Sequence, residues 1–232
     1  RQGRDESQPT APPFGPDAAP SIQLRYPQYA TQLDDRREQF VAGVRVTSNQ
    51  LFGHPHWSHG FRVAVEMAHF DKPLESTTIY ESQAEGPHMN RYTVETETGF
   101  SFHRDPRTIR IALKAIDNDL LEDSVPLQVI DLARLGGSEG LRGFDPYRFY
   151  DTDAIVGKLS YIFPLAEHFE LDTHVESGGV YPNLYTDPRI ETLKLSYGVS
   201  LRPRTLEFLL GEVGIDWSFE RMRFHFSIGG VN

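Results

Sequence analysis

The chain has no cysteine, so no disulfide holds it together; this suits an exported bacterial protein and a cytosolic one equally. Long apolar runs are missing too. Nothing approaches the roughly 18 apolar residues of a spanning helix. That excludes helical membrane proteins but not membrane-spanning strands, whose alternation keeps average hydropathy low. Positive charge is scarce: 23 Lys and Arg stand against 33 Asp and Glu, a net charge of -10. A nucleic-acid partner is disfavoured, because it usually demands a basic patch. No signal peptide is visible, since Arg1 opens a polar segment, which fits a mature chain or one never exported. Phosphate loops, zinc helices and nucleophile elbows are absent, and Ser138 in Gly-Gly-Ser-Glu-Gly is out of register with Gly-x-Ser-x-Gly. The sequence therefore nominates no catalytic residue, cofactor or small-molecule substrate, and is not read as an enzyme.

What is present is period two. Residues 1–37 come first, a tail with Pro9, Pro12, Pro13, Pro16 and Pro20 among polar residues, expected to be extended or disordered. Beyond it, Phe61, Val63, Val65 and Met67 alternate with Arg62, Ala64, Glu66 and Ala68. Leu193, Leu195, Tyr197, Val199 and Leu201 alternate with Lys194, Ser196, Gly198, Ser200 and Arg202. Such alternation makes strands with one apolar and one polar face. Strands are predicted near 38–52, 57–71, 90–104, 106–118, 125–135, 152–165, 168–181, 190–203, 204–218 and 221–231, with a weaker one near 74–82.

Two architectures share this pattern. A soluble sandwich or lipocalin turns its apolar face inward; a membrane barrel turns it to lipid and lines a hydrated lumen with the polar face. Strand length favours the barrel. Several runs reach ten or more residues, soluble strands average about five or six, and a tilted spanning strand needs about 9–11. Small residues among the charges, namely Gly43, Ser48, Gly99, Ser196, Gly198, Ser200 and Gly211, suit a lumen filled by a loop.

One segment is more specific. Residues 126–149 contain Gly136-Gly137-Ser138-Glu139-Gly140-Leu141-Arg142-Gly143-Phe144 between alternating strands. This string resembles the lumen-loop signature of the BamA/TamA-like superfamily of outer-membrane assembly and secretion barrels, the bacterial surface antigens. Downstream, Tyr161-Ile-Phe163-Pro164, Glu176-Ser-Gly178 and Tyr197-Gly198-Val199 resemble the strands that follow in that family. Phe224, Phe226 and Gly229 resemble its closing strand. The resemblance covers about 125–232; upstream only the barrel pattern remains.

The resemblance implies an all-β antiparallel transmembrane barrel over 38–232, with ten to twelve strands here against about sixteen in the family. A long loop carrying Leu141-Arg142-Gly143-Phe144 would fold inward. Parity puts Glu170, Asp172, His174 and Glu176 on the polar face of their strand, with Lys158 and Ser160 on that of theirs, so Glu176 is the expected partner of Arg142. Departures are Ser160 and Ile162 where the family carries Glu and Arg, Glu176 for Asp, and Asn232 for a terminal aromatic. No periplasmic client-binding domain fits in 1–37. The function implied is outer-membrane protein assembly or translocation. The alternative is a structural or accessory barrel without transport. Expected partners are outer-membrane lipid and other envelope proteins or a second copy.

Two further clusters have bland explanations. His54, His56 and His59 surround Trp57 at a spacing that can bind Zn or Cu, but with no carboxylate evident nearby to support them they read as a polar turn at a membrane aromatic girdle. Asp117, Asp119, Glu122 and Asp123 match no calcium-loop spacing and read as a solvated turn. No metal site is assigned to either.

Overall fold

The computed structural model describes residues 40–52, 59–71, 88–101, 107–121, 127, 131–166, 168–186, 190–203 and 210–228. Among them there is no α-helix. Nine strands form one antiparallel sheet: β1 (Phe40–Phe52), β2 (His59–Asp71), β3 (Met89–Ser101), β4 (Thr108–Leu120), β7 (Asp153–Ala166), β8 (Phe169–Tyr181), β9 (Lys194–Pro203), β10 (Gly211–Ser218) and β11 (Met222–Ile228). Two short strands, β5 (Ala133–Leu135) and β6 (Phe149–Asp151), pair with each other apart from this sheet. Neighbours in the chain are neighbours in the sheet, except that the β5–β6 excursion separates β4 from β7. Five wall strands follow the Arg142 loop. Among the described residues no pairing joins β1 to β11.

This is the wall of a transmembrane β-barrel, and its two faces show why. The outward face is apolar and uncovered: Leu159, Val175 and Tyr197, which sit side by side across β7, β8 and β9, are 52%, 44% and 51% exposed. The inward face is polar and buried: Glu170, Asp172, His174, Glu176, Ser196, Ser200, Arg202, Glu212 and Asp216 are all nearly inaccessible. A soluble protein would carry the reverse. Strands β1 to β4 and β8 each run 13 residues, enough to cross a bilayer at a tilt.

Two expectations change. The segment 125–135 was predicted as a wall strand; among its described residues only Ala133–Leu135 is strand, and it lies inside with β6. Leu135, Ala133, Leu141 and Phe144 are buried with Ala154 and Val156 of β7 in a small apolar cluster on the luminal side. Ser48 pairs with Val63 and Gly211 with Ile228, so both share the outward face, not the lumen. The tail 1–37, the weak strand near 74–82, His54, His56, Trp57, Glu122, Asp123 and Gly229 lie outside the described residues.

Candidate luminal site

The loop from Gly136 to Arg148 leaves β5 and meets residues of β7, β8, β10 and β11. Gly136 starts it at φ 119°, a backbone state open to glycine but costly for other residues. Its N–H donates to the Gly140 carbonyl at 2.8 Å, closing a tight turn around Gly137–Glu139. Leu141 then takes a left-handed φ of 63° and is fully buried. Gly143 passes so close to β10 that a Cβ there would meet the Trp217 carbonyl oxygen at 2.5 Å. The Ser218 hydroxyl donates to the Gly143 carbonyl at 2.8 Å, and Arg223 donates to the Phe144 carbonyl. The Phe144 ring is fully buried, edge-on to Phe149 at 4.9 Å and Phe219 at 5.4 Å. Arg148 forms a two-pronged pair with Glu220, both contacts 3.0 Å. The loop is thus pinned by its backbone at Gly143, by an aromatic socket and by charge.

Arg142 projects from this loop into the wall. Its Nη1 reaches Glu212 Oε1 at 2.6 Å, with the arginine side chain 25% exposed and the glutamate 2%. Glu176 meets the same residue differently. It accepts the Arg142 backbone N–H at 2.6 Å, while its other oxygen stands 3.9 Å from Nε. Parity thus brings Glu176 to Arg142, but the short guanidinium contact goes to Glu212 on β10.

Glu212 is the hub of a wider network. Its second oxygen accepts from Arg202 Nε at 3.0 Å, and Arg202 also donates to Asp172. His225 bridges two strands, with Nε2 2.8 Å from Glu212 Oε1 and Nδ1 2.6 Å from Asp216 Oδ2. Both bonds form only when the ring carries two protons. Asp216 Oδ1 in turn meets His174 Nε2 at 2.8 Å. Ser196 donates to Glu176 at 3.1 Å, and Lys158 Nζ stands 3.8 Å from it. Carboxylates in this volume are tolerated because each faces a donor; an unpaired charge buried there would cost several kcal/mol. Glu212, Asp216, Arg202 and His225 were not nominated from sequence. Their signal was available: Glu212, Gly214 and Asp216 share one parity on β10, polar or small throughout.

Beside the loop opens a cavity of about 520 Å³, lined by Arg142, Glu212, Asp216 and His225 among others. The arrangement anchors a loop in a hydrated lumen. The Ser200 hydroxyl also lies 3.3 Å from His225 Nε2. Elsewhere, Asp117 and Asp119 lie at the end of β4, and His59 opens β2 stacked on Phe52 at 5.7 Å. Phe224 and Phe226 of β11 point outward, 70% and 72% exposed.

No family model matches the chain, and no curated protein does. Solved structures do. BamA from Haemophilus ducreyi, in a form lacking POTRA domains 1–3, superposes with a TM-score of 0.63 at 10% identity, covering 88% of this chain and 47% of that one. CdiB from Acinetobacter baumannii superposes with a TM-score of 0.50 at 15% identity, covering 81% of this chain and 32% of that one. The chain spans about half the length of the first and a third of the second. At such identities the likeness is one of fold: this chain has the fold of the barrels of BamA and CdiB.

Proposed function

We propose that the chain forms wall and lumen loop of an outer-membrane barrel of the BamA-like superfamily, acting in the insertion of other outer-membrane proteins or in protein translocation. The observation that carries this reading is the loop Gly136–Arg148 bound to the luminal wall, with Arg142 held between Glu212 and Glu176. A barrel that only scaffolds needs no loop folded into its lumen and held by paired charges. One that passes or inserts chains needs a lumen whose filling is organised and whose loop position is defined. Its partners on this reading are lipid and unfolded or partly folded envelope proteins.

The test is reconstitution. The protein in liposomes is offered a urea-denatured outer-membrane protein, and folding of that client is followed by its unheated gel mobility. Faster client folding than in empty liposomes, lost in Arg142→Ala at equal incorporation, is expected. If the client folds no faster than in liposomes carrying an unrelated barrel, the insertion reading fails. Protein translocation is scored in the same vesicles by protease protection of an added passenger.

A further inference from the structure

At the loop end of the wall, away from the luminal network, three metal-ligating side chains converge. His69 and Asp71 close β2, and His88 immediately precedes β3. One ligand atom from each lies within 4.8 Å of the other two. His69 and Asp71 share the outward parity of Met67, so the cluster sits on the outer rim rather than in the lumen. We infer that His69, Asp71 and His88 form a binding site for a borderline divalent transition metal, with Zn²⁺ as its best match.

The ligand set is the first argument. Two imidazoles and a carboxylate are a zinc set that leaves a fourth position for water or another ligand. Calcium and magnesium prefer oxygens alone. The second argument is the orientation of His69. Its Nδ1 is 2.8 Å from the Asn90 side-chain oxygen, which can only accept, so Nδ1 carries the proton. In the neutral ring, Nε2 is then a bare lone pair. That lone pair faces Asp71 Oδ2 at 3.9 Å, too far for a hydrogen bond. A cation placed between them would be met by both as ligand atoms. A hydrogen bond from the far ring nitrogen to a fixed acceptor is also how metal-bound imidazoles are usually held. The third is ring geometry. The His69 and His88 centroids are 5.2 Å apart with planes at 78°. Zn–N bonds of about 2.0–2.1 Å at a tetrahedral angle put two such centroids about 5 Å apart.

The supports are rigid. Asn90 faces His69 directly in the β2–β3 register. The His88 carbonyl accepts the Leu121 N–H at 2.9 Å, tying its backbone to the end of β4. Bringing Nε2 and Oδ2 to the roughly 3.4 Å spacing of tetrahedral zinc ligands needs only a small side-chain rotation. A bound ion would join the end of β2 to the start of β3 and so clip the long connection between them, where loop closure gives a metal link leverage.

The whole protein, folded in detergent and stripped with chelator, is titrated with Co²⁺ and followed by visible absorption; Zn²⁺ displacement is then measured by calorimetry. One equivalent with the intense spectrum of a four-coordinate site is expected. His88→Ala and Asp71→Ala should weaken Zn²⁺ binding at least about tenfold, and Asn90→Ala, which removes no ligand, roughly ten- to a hundredfold. Zn²⁺ should raise the thermal unfolding midpoint of the wild type but not of the His69→Ala/His88→Ala variant. Folding of each variant is verified by its heat-shifted gel mobility. The His54→Ala/His56→Ala/His59→Ala variant should bind as the wild type does. The inference is overturned by absence of saturable binding. It is equally overturned if Asn90→Ala and His88→Ala bind normally, or if binding is lost only in the triple variant of the β1–β2 turn.

Discussion

Arg142 makes two contacts of different kind, and substitution separates them. Its guanidinium meets Glu212, buried to within 2% exposure. Breaking a buried pair typically costs about 3–5 kcal/mol when it leaves a charge uncompensated, against about 0–1 for a surface pair; Arg142→Ala leaves Glu212 its contacts to Arg202 and His225 and should fall between these limits. Arg142→Ala and Glu212→Gln should each lower the temperature at which the barrel loses its heat-shifted mobility and open the loop to protease. Because Glu212 also holds Arg202 and His225, its substitution should be the more damaging. The double variant should lose less than the sum. Glu176→Gln keeps an acceptor for the Arg142 backbone N–H and should be the mildest. Unchanged stability in both Arg142→Ala and Glu212→Gln would make this pair a solvated one. Strand parity was enough to place Glu176 in reach of Arg142. Choosing between Glu176 and Glu212 was not possible from sequence, because that choice depends on how deep the loop sits. Depth is set by Gly143 against Trp217, partners far apart in the chain.

Among the elements, the wall strands were the most legible part, since alternation reports the two faces directly. The segment 125–135 shows where that signal misleads. Leu135 and Ala133 are apolar because they pack with Leu141, Phe144 and Val156 under the loop, not because they meet lipid. A strand with an apolar luminal patch and a strand with a lipid face read alike in sequence. The distinction between faces is testable at β7. Leu159 lies mid-strand and outward at 52% exposure, while Lys158 beside it turns inward toward Glu176. An arginine on the lipid face at mid-bilayer costs about 2–4 kcal/mol. Leu159→Arg should therefore lower the folding equilibrium in phospholipid by about that amount, although the adjacent position already carries a cation. A neutral result would place this part of β7 outside the hydrocarbon.

For the whole molecule the decisive fact is that the described sheet has two edges. β1 is exposed along almost its full length on both faces, in contrast to the interior strands. Barrel closure was beyond the sequence reading, because periodicity is local while closure depends on strand number, stagger and tilt together. In hydrocarbon an unpaired backbone N–H or C=O costs several kcal/mol, so an open edge cannot persist there. Among the described residues Phe40–Phe52 bonds to β2 on one side only, which leaves about half its N–H groups directed away from the described sheet. In a bilayer these groups must find partners, whether in further strands, in a second copy or in another chain. Hydrogen exchange of the protein in lipid nanodiscs resolves this edge. The outward-directed amides of β1 should be nearly as protected as the amides of β8, which is paired on both sides. The same is expected at the edge of β11, which among the described residues pairs only with β10. Exchange at these amides as fast as in an unstructured peptide would mean that the edge meets water. The wall at β1 would then line an aqueous opening instead of lying against lipid.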